Sequence, residues 1–291
     1  MFRKELVRSY QIAGLKFQII CNENALYLRE GFLEGYAWEG TPPDYHVSVS
    51  WIPQLPAPAG EVLYHAEDQI VYRENGRVQL YSGAVSNGAA HARVCTIREE
   101  NRIRIYFCTQ FVKGALSARL ILNAMDLPHL LTVHDGFLLH ASYIEWEGRA
   151  ILFTAPSETG KSTQAQLWCD HMGAALVNGD RAAVRIIDGR VFACGTPFSG
   201  SSPVRRNVQL PLAAIVYLSQ APENSIVRLR GVRAFRRVWE GCTVNTWERE
   251  DVEKATGTVS EVVSRVPVYH LSCTPDVRAA ELLKHTMEVE K

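Results

Sequence analysis

Leu138 to Asp180 reads LLHASYIEWEGRAILFTAPSETGKSTQAQLWCDHMGAALVNGD, and its middle governs how the rest of the chain is read. Ala155-Pro156-Ser157-Glu158-Thr159-Gly160-Lys161-Ser162-Thr163 fits the pattern [AG]-x-x-x-x-G-K-[ST] of a nucleotide-phosphate loop. Ahead of it, Ala150 to Thr154 is an apolar run of strand length. Behind it, Ser162 to His171 contains neither Gly nor Pro and suits a helix. In such a strand–turn–helix, the turn amides and the N–H groups opening the helix converge on one anion. Gly160 lets the backbone approach closely, Lys161 adds a point charge, and Ser162 offers a hydroxyl for Mg2+. The plainer reading is a surface turn that happens to spell GKST, and the flanking strand and helix argue against it.

Composition sets wide bounds. The 291 residues suffice for one large domain or two ordinary ones, and 47% hydrophobic residues can build a core. Lys+Arg and Asp+Glu are balanced at 31 each, so no global field favours nucleic acid or an anionic membrane as a partner. The seven cysteines are scattered and never spaced C-x-x-C, which argues against both a disulfide framework and a zinc site. The first residues lack an apolar signal-peptide core, and no run reaches membrane-spanning length. The expected location is cytoplasmic.

Taken in order, residues 1–115 read as β-rich. Gly14 to Cys21 alternates before an Asn22-Glu23-Asn24 turn signal, and Tyr45 to Trp51 alternates more cleanly. A Pro-rich link over 52–60 follows. Asn75-Gly76 and Glu100-Asn101 mark two hairpins, and the expectation is an antiparallel meander. Residues 116–135 are apolar at helical spacing with Pro128 as an interruption, implying one or two helices. Phe137 to Trp146 then forms a strand that turns at Glu147-Gly148-Arg149 into the strand before the loop.

Downstream, Asp188-Gly189 marks a hairpin, and Leu212 to Leu218, Ser225 to Leu229 and 267–272 read as strands. Val232 to Trp239 reads as a helix whose three arginines form a solvent face. Residues 247–265 read as helical with a break near Gly257. Thr274 is the expected N-cap of a last helix, with Pro275 at its first position.

Three further features carry chemistry. His140 lies on the strand whose hairpin partner ends at the loop. Asp180 closes a short strand, Ala174 to Val177; it suits metal binding or base chemistry, or equally a turn aspartate bonded to its own backbone. Arg205 and Arg206, in a Gly/Ser loop over 195–207, could clamp a phosphate or carboxylate, or form a solvated basic turn.

With His140, the loop and Asp180 in this order, the segment resembles the catalytic core of the HPr kinase/phosphorylase family, whose fold is shared with ATP-dependent phosphoenolpyruvate carboxykinases. The clear match covers about 45 residues and weakens through the C-terminal half. The resemblance implies an α/β (mixed α+β) fold: a PEP carboxykinase/HPr kinase-like P-loop core over 116–291 behind a β-rich N-terminal domain over 1–115. It implies ATP and Mg2+ as cofactors and transfer of the γ-phosphate to a hydroxyl, a serine of a peptide or protein. By that resemblance His140, Lys161 and Asp180 are catalytic, Ala155 through Thr163 hold the nucleotide, and Ser162 with Asp180 hold Mg2+. Arg205 and Arg206 would contact substrate or phosphate. Family members form ring or dimer assemblies, so a homo-oligomer is implied as well.

Three departures stand in the motif. Ala155 replaces the first loop glycine, Glu158 replaces an inner one, and Gly179 replaces the first of two family aspartates. The alternatives are a kinase for a small hydroxyl compound and a nucleotide-binding accessory protein without turnover.

Overall fold

Strands with alternating sequence become half-buried strands in the structure, a computed structural model that describes residues 6–21, 33–40, 42–111, 118–200 and 202–290. The chain divides by contacts into Met1–Leu127 and Pro128–Lys291. The Asn22-Glu23-Asn24 turn, residues 116–117 and Ser201 lie outside the described residues.

The first unit is one sheet of eight strands: β1 (Leu6–Ile12), β2 (Leu15–Cys21), β3 (Tyr45–Ile52), β4 (Glu61–His65), β5 (Gln69–Glu74), β6 (Arg77–Gly83), β7 (Ala92–Glu99) and β8 (Arg102–Cys108). They lie in the order β1-β2-β3-β8-β7-β6-β5-β4. From β4 to β8 this is the expected antiparallel meander. Asn75 and Gly76 both take positive φ (49° and 78°), as a two-residue hairpin whose twist matches its strands requires.

The expectation fails at β3, which pairs in parallel with both β2 and β8. Alternation fixes which face a residue takes and says nothing of the direction of its neighbour. The edge strands β1 and β4 lack a clean alternation, because an edge strand is half solvated along its length. A helix, α1 (Ala118–Ala124), packs on β7, where Thr96 donates to the Ala124 carbonyl at 2.7 Å and Arg98 pairs with Asp126, both side chains buried. These bonds group the stretch up to Leu127 with the first unit, whereas the sequence places the boundary near residue 115.

The second unit begins near α2 (Leu127–Val133) and contains β9 (Gly136–Trp146), β10 (Arg149–Thr154), α3 (Lys161–His171), β11 (Ala175–Asn178), β12 (Arg181–Ile187), β13 (Arg190–Gly195), β14 (Gln209–Gln220), β15 (Ser225–Leu229), α4 (Gly231–Trp239), β16 (Cys242–Thr243), α5 (Arg249–Arg265), β17 (Val268–Cys273) and α6 (Val277–Val289). Six α-helices and two mixed sheets thus make up the described residues, a mixed α+β architecture.

β10, β14 and β17 run parallel side by side. Their side chains are buried on both faces, which is why β10 reads as an unbroken apolar run. On one face Phe153, Val216 and Leu271 pack with Ala165 and Trp168 of α3 and with Ala280 and Leu283 of α6. On the other, Leu152 and Ile215 pack with Ala234 and Val238 of α4 and Val259 and Val262 of α5.

Two helix details differ from expectation. α5 passes Gly257 without a break; that glycine is exposed, and burial of Ala255, Thr258, Val259 and Val262 offsets its propensity penalty of about 1 kcal/mol. α6 is capped by Asp276, whose carboxylate accepts from the Arg278 N–H, not by Thr274. Thr274 hydroxyl bonds instead to Asn224 and Asp276. All seven cysteines are free thiols.

Candidate active site

β9 changes neighbours at His140. That residue pairs with Arg181 of β12, while the next, Ala141, pairs with Thr154 at the end of β10. The Gly241 carbonyl accepts the His140 N–H at 2.8 Å, and the Asp180 carbonyl accepts the Ala141 N–H at 3.1 Å. Position 241 is tight at this junction: a Cβ there would lie 2.6 Å from Thr154 Oγ1, so the threonine side chain would have to move to admit one.

The ring of His140 is fixed by the same carbonyl. Its Nδ1 lies 2.9 Å from Asp180 O, and a carbonyl only accepts, so Nδ1 carries the proton and Nε2 keeps its lone pair. The Asp180 carboxylate stands farther off, with Oδ1 at 3.6 Å from Nδ1, too long for a hydrogen bond. Burial lowers the His140 pKa from 6.5 and the Lys161 charge lowers it further, against the bond to Asp180. Both effects favour the neutral imidazole.

Asp180 is 7% exposed, and its position is set by Asn178. The Asn178 Oδ1 accepts the N–H groups of Asp180 and Arg181 at 2.8 and 2.9 Å, and its Nδ2 donates to Thr196 O and Phe198 O, both at 2.8 Å. Asn178 thus makes the turn, the duty that the plainer reading assigned to Asp180.

Between β10 and α3, Ala155 is buried while Pro156, Ser157 and Glu158 are exposed. Glu158 takes φ 64° and Gly160 φ 113°, so the chain enters α3 through a left-handed step. α3 opens with no capping side chain and no acidic residue in its first turn. The first helical residue is Lys161, 8% exposed, whose Nζ donates to the carbonyls of Ala155 (2.9 Å) and Pro156 (3.0 Å) and so folds over the loop. Burial lowers its pKa, and the Asp180 carboxylate acts in the opposite sense. Ser162 and Thr163 are exposed beside it, and Thr159 and Gly160 are half-buried. His140, Lys161 and Asp180 therefore sit within electrostatic reach of one another.

The arginine pair separates. Arg206 forms an ion pair with Glu145 at 2.9 Å, and its N–H bonds to Val177 O. Its carbonyl lies so close to Gly195 that a Cβ there would be 1.8 Å away, which makes it a packing element of the strand edge. Arg205 is exposed and bridges Asn178 through the backbone, next to the turn that carries Asp180.

Other residues join the neighbourhood without a sequence signal. Parallel pairing sets Thr154, Tyr217 and His270 abreast. Arg237 stacks on Tyr217 at 4.4 Å and donates to its hydroxyl at 3.2 Å, while Ser219 Oγ lies 2.8 Å from His270 Nε2. Arg237 thus reaches toward the strand ends while also pairing with Glu240 of its own helix at 3.0 Å, so it does more than form the solvent face expected for it. Helical spacing marks α4 as amphipathic but cannot show that an arginine reaches over an edge to an aromatic ring.

Among the described residues, no group of three or more His, Cys, Asp or Glu is arranged to hold a metal alone. The oxygen donors near the turn are the buried carboxylate of Asp180 and the exposed hydroxyl of Ser162, a set of the kind that Mg2+ takes together with phosphate oxygens and water.

No family model and no curated protein matches the chain. The HPr(Ser) kinase/phosphatase from Coxiella burnetii aligns with 53% of this chain and 99% of its own, at 12% identity and a TM-score of 0.32. No helix of the described residues is long and apolar enough to cross a membrane.

Proposed function

We propose that the second unit is an ATP-dependent phosphotransferase acting on a hydroxyl, with a serine of a peptide or protein as the acceptor. The observation that supports this is the convergence of Lys161, Asp180 and His140 on the turn before α3. Loop amides from Ala155 to Thr163 and the Lys161 ammonium would hold the β- and γ-phosphates. Ser162 and Asp180 would ligate Mg2+, which supplies charge neutralisation across the phosphates.

In this reading His140 has a defined part. Its Nε2 keeps a lone pair at neutral pH, so it accepts the proton of the attacking hydroxyl or orients that hydroxyl, with Asp180 beside it. The chain's own work is to position, to exclude water and to hold charge, as phosphoryl transfer demands.

Intact-mass measurement after incubation with ATP, Mg2+ and serine-containing peptides tests the reading. A gain of one phosphate on the peptide is expected, abolished by Lys161→Ala and reduced by about 10²–10⁴-fold in Asp180→Asn or His140→Gln. Full transfer by Asp180→Asn would remove that residue from the mechanism. A second reading, nucleotide binding without turnover, is favoured by the single carboxylate that Gly179 leaves. It expects ATP to raise Tm while no acceptor gains mass.

A further inference from the structure

Arg181 follows Asp180 and opens β12, where antiparallel pairing sets it directly across from His140. Residues paired in this way put their side chains on the same face of a sheet, so the guanidinium and the imidazole share one side. The backbone of Arg181 is pinned: its N–H donates to Asn178 Oδ1 at 2.9 Å, and its carbonyl accepts from Thr196 Oγ1 at 2.7 Å. The side chain has a defined place too. Its Nη1 donates to Thr243 Oγ1 at 2.8 Å, and its guanidinium carbon lies 5.3 Å from the centre of the buried Phe198 ring.

Thr243 tells where the charge goes. Leu138 of β9 pairs with Ala183 of β12 on one side and with Thr243 of β16 on the other. Arg181 therefore reaches across β9 over the residues before His140. The phosphate loop starts beyond Thr154, which pairs with Ala141 after His140. Lys161 and Arg181 thus flank the imidazole from opposite directions. Burial is the largest cause of the lowered His140 pKa and Lys161 the next, and the Arg181 charge acts in the same sense, which puts the guanidinium within electrostatic reach of the ring. Arg181 and Thr243 both retain some exposure to solvent.

At about 3.3 Å per residue, Leu138 lies about 7 Å along β9 from His140. Residues two apart in an extended peptide point the same way and are separated by the same length. We propose that Arg181 is a specificity residue on the acceptor side of the site, where its guanidinium binds a carboxylate two residues from the reacting serine. The preferred acceptor is then a serine in an acidic, extended segment. The proposal rests on the phosphotransferase reading above and adds to it the class of peptide that the site takes. Asp180, the carboxylate beside Arg181, is assigned to the metal in that reading.

Steady-state transfer from ATP to two peptides tests it: Ala-Asp-Ala-Ser-Ala-Asp-Ala, and the same peptide with asparagine for both aspartates. Native protein is expected to show a kcat/KM at least about tenfold higher for the aspartate peptide, with the difference in KM and shrinking at high salt. Arg181→Gln keeps a donor for Thr243 but removes the charge, and should bring the ratio to about one. Arg181→Lys should restore a preference of several-fold. Thr243→Val leaves Arg181 in place without one of its anchors; it should lower the ratio without abolishing it, and is the probe to use if Arg181→Gln does not fold. Equal kcat/KM for the two peptides in native protein, or a ratio unchanged in the variants, overturns the carboxylate subsite while phosphotransfer stands. A loss in Arg181→Gln that falls equally on both peptides makes Arg181 a structural residue and overturns the subsite as well. So does failure of native protein to use either peptide while it phosphorylates others in the intact-mass experiment. Transfer to none of them overturns the phosphotransferase reading and the subsite with it.

Discussion

His140 donates from Nδ1 to the main-chain carbonyl of Asp180 at 2.9 Å, so the backbone of one candidate residue fixes the ring of another. The bond survives loss of the Asp180 side chain. Asp180→Asn should therefore leave the orientation of His140 intact, and its effect on transfer reports the carboxylate alone.

The neutral state of that imidazole has a pH signature. Burial and Lys161 hold the His140 pKa below 6.5, and burial and Arg237 do the same for His270. The unfolded chain then binds these protons more readily than the native one. Stability accordingly falls as pH drops through 6.5 toward the folded pKa values, and these two groups have no effect well above 6.5. Tm followed from pH 5 to pH 8 should show this acid limb, and His140→Gln should make it shallower. An unchanged slope would refute the burial account.

Arg237 should be visible from His270. Its charge contributes to the lowered pKa of that ring, after burial. In Arg237→Gln the His270 pKa should rise, while remaining below 6.5 because burial persists. A titration of the imidazole proton resonances reads this directly, and no upward movement would place the guanidinium away from the ring in solution.

Gly160 separates strain from chemistry. Its φ of 113° disfavours any side chain, yet a Cβ there meets nothing within 4 Å. Gly160→Ala should cost only about 1–2 kcal/mol of stability, through backbone strain. If the turn holds phosphates as proposed, its effect on ATP affinity should exceed that cost, because the left-handed step sets the path of the turn into α3. Equal losses in both measurements would make the turn a structural element only.

The first unit offers a control remote from the loop in sequence. Arg98→Met leaves the Asp126 carboxylate buried without its guanidinium and should destabilise by about 3–5 kcal/mol in urea unfolding. Arg98→Met combined with Asp126→Leu should recover much of that loss. If the double variant is as unstable as the single one, the ion pair does not account for the anchoring of α1.

What the sequence determined by itself was local. Hairpins at Asn75-Gly76 and Asp188-Gly189 were legible because two positive φ values demand particular residues, and β10 and α3 because burial imposes a period or an unbroken apolar run. The order His140, loop, Asp180 could be read because the loop joins β10 to α3 and Asp180 falls in the turn between β11 and β12, although His140 lies in the middle of β9. The direction of β3 was not legible, because face alternation is the same in parallel and antiparallel neighbours. Nor was the transfer of turn duty from Asp180 to Asn178, which depends on the carbonyls of Thr196 and Phe198 arriving from the segment after β13. Arg237 over Tyr217 and Arg181 over Phe198 likewise arise only when distant segments meet. Tertiary structure decides such matters because a side chain's partner is set by what packs against it, and packing joins residues that sequence spacing cannot relate.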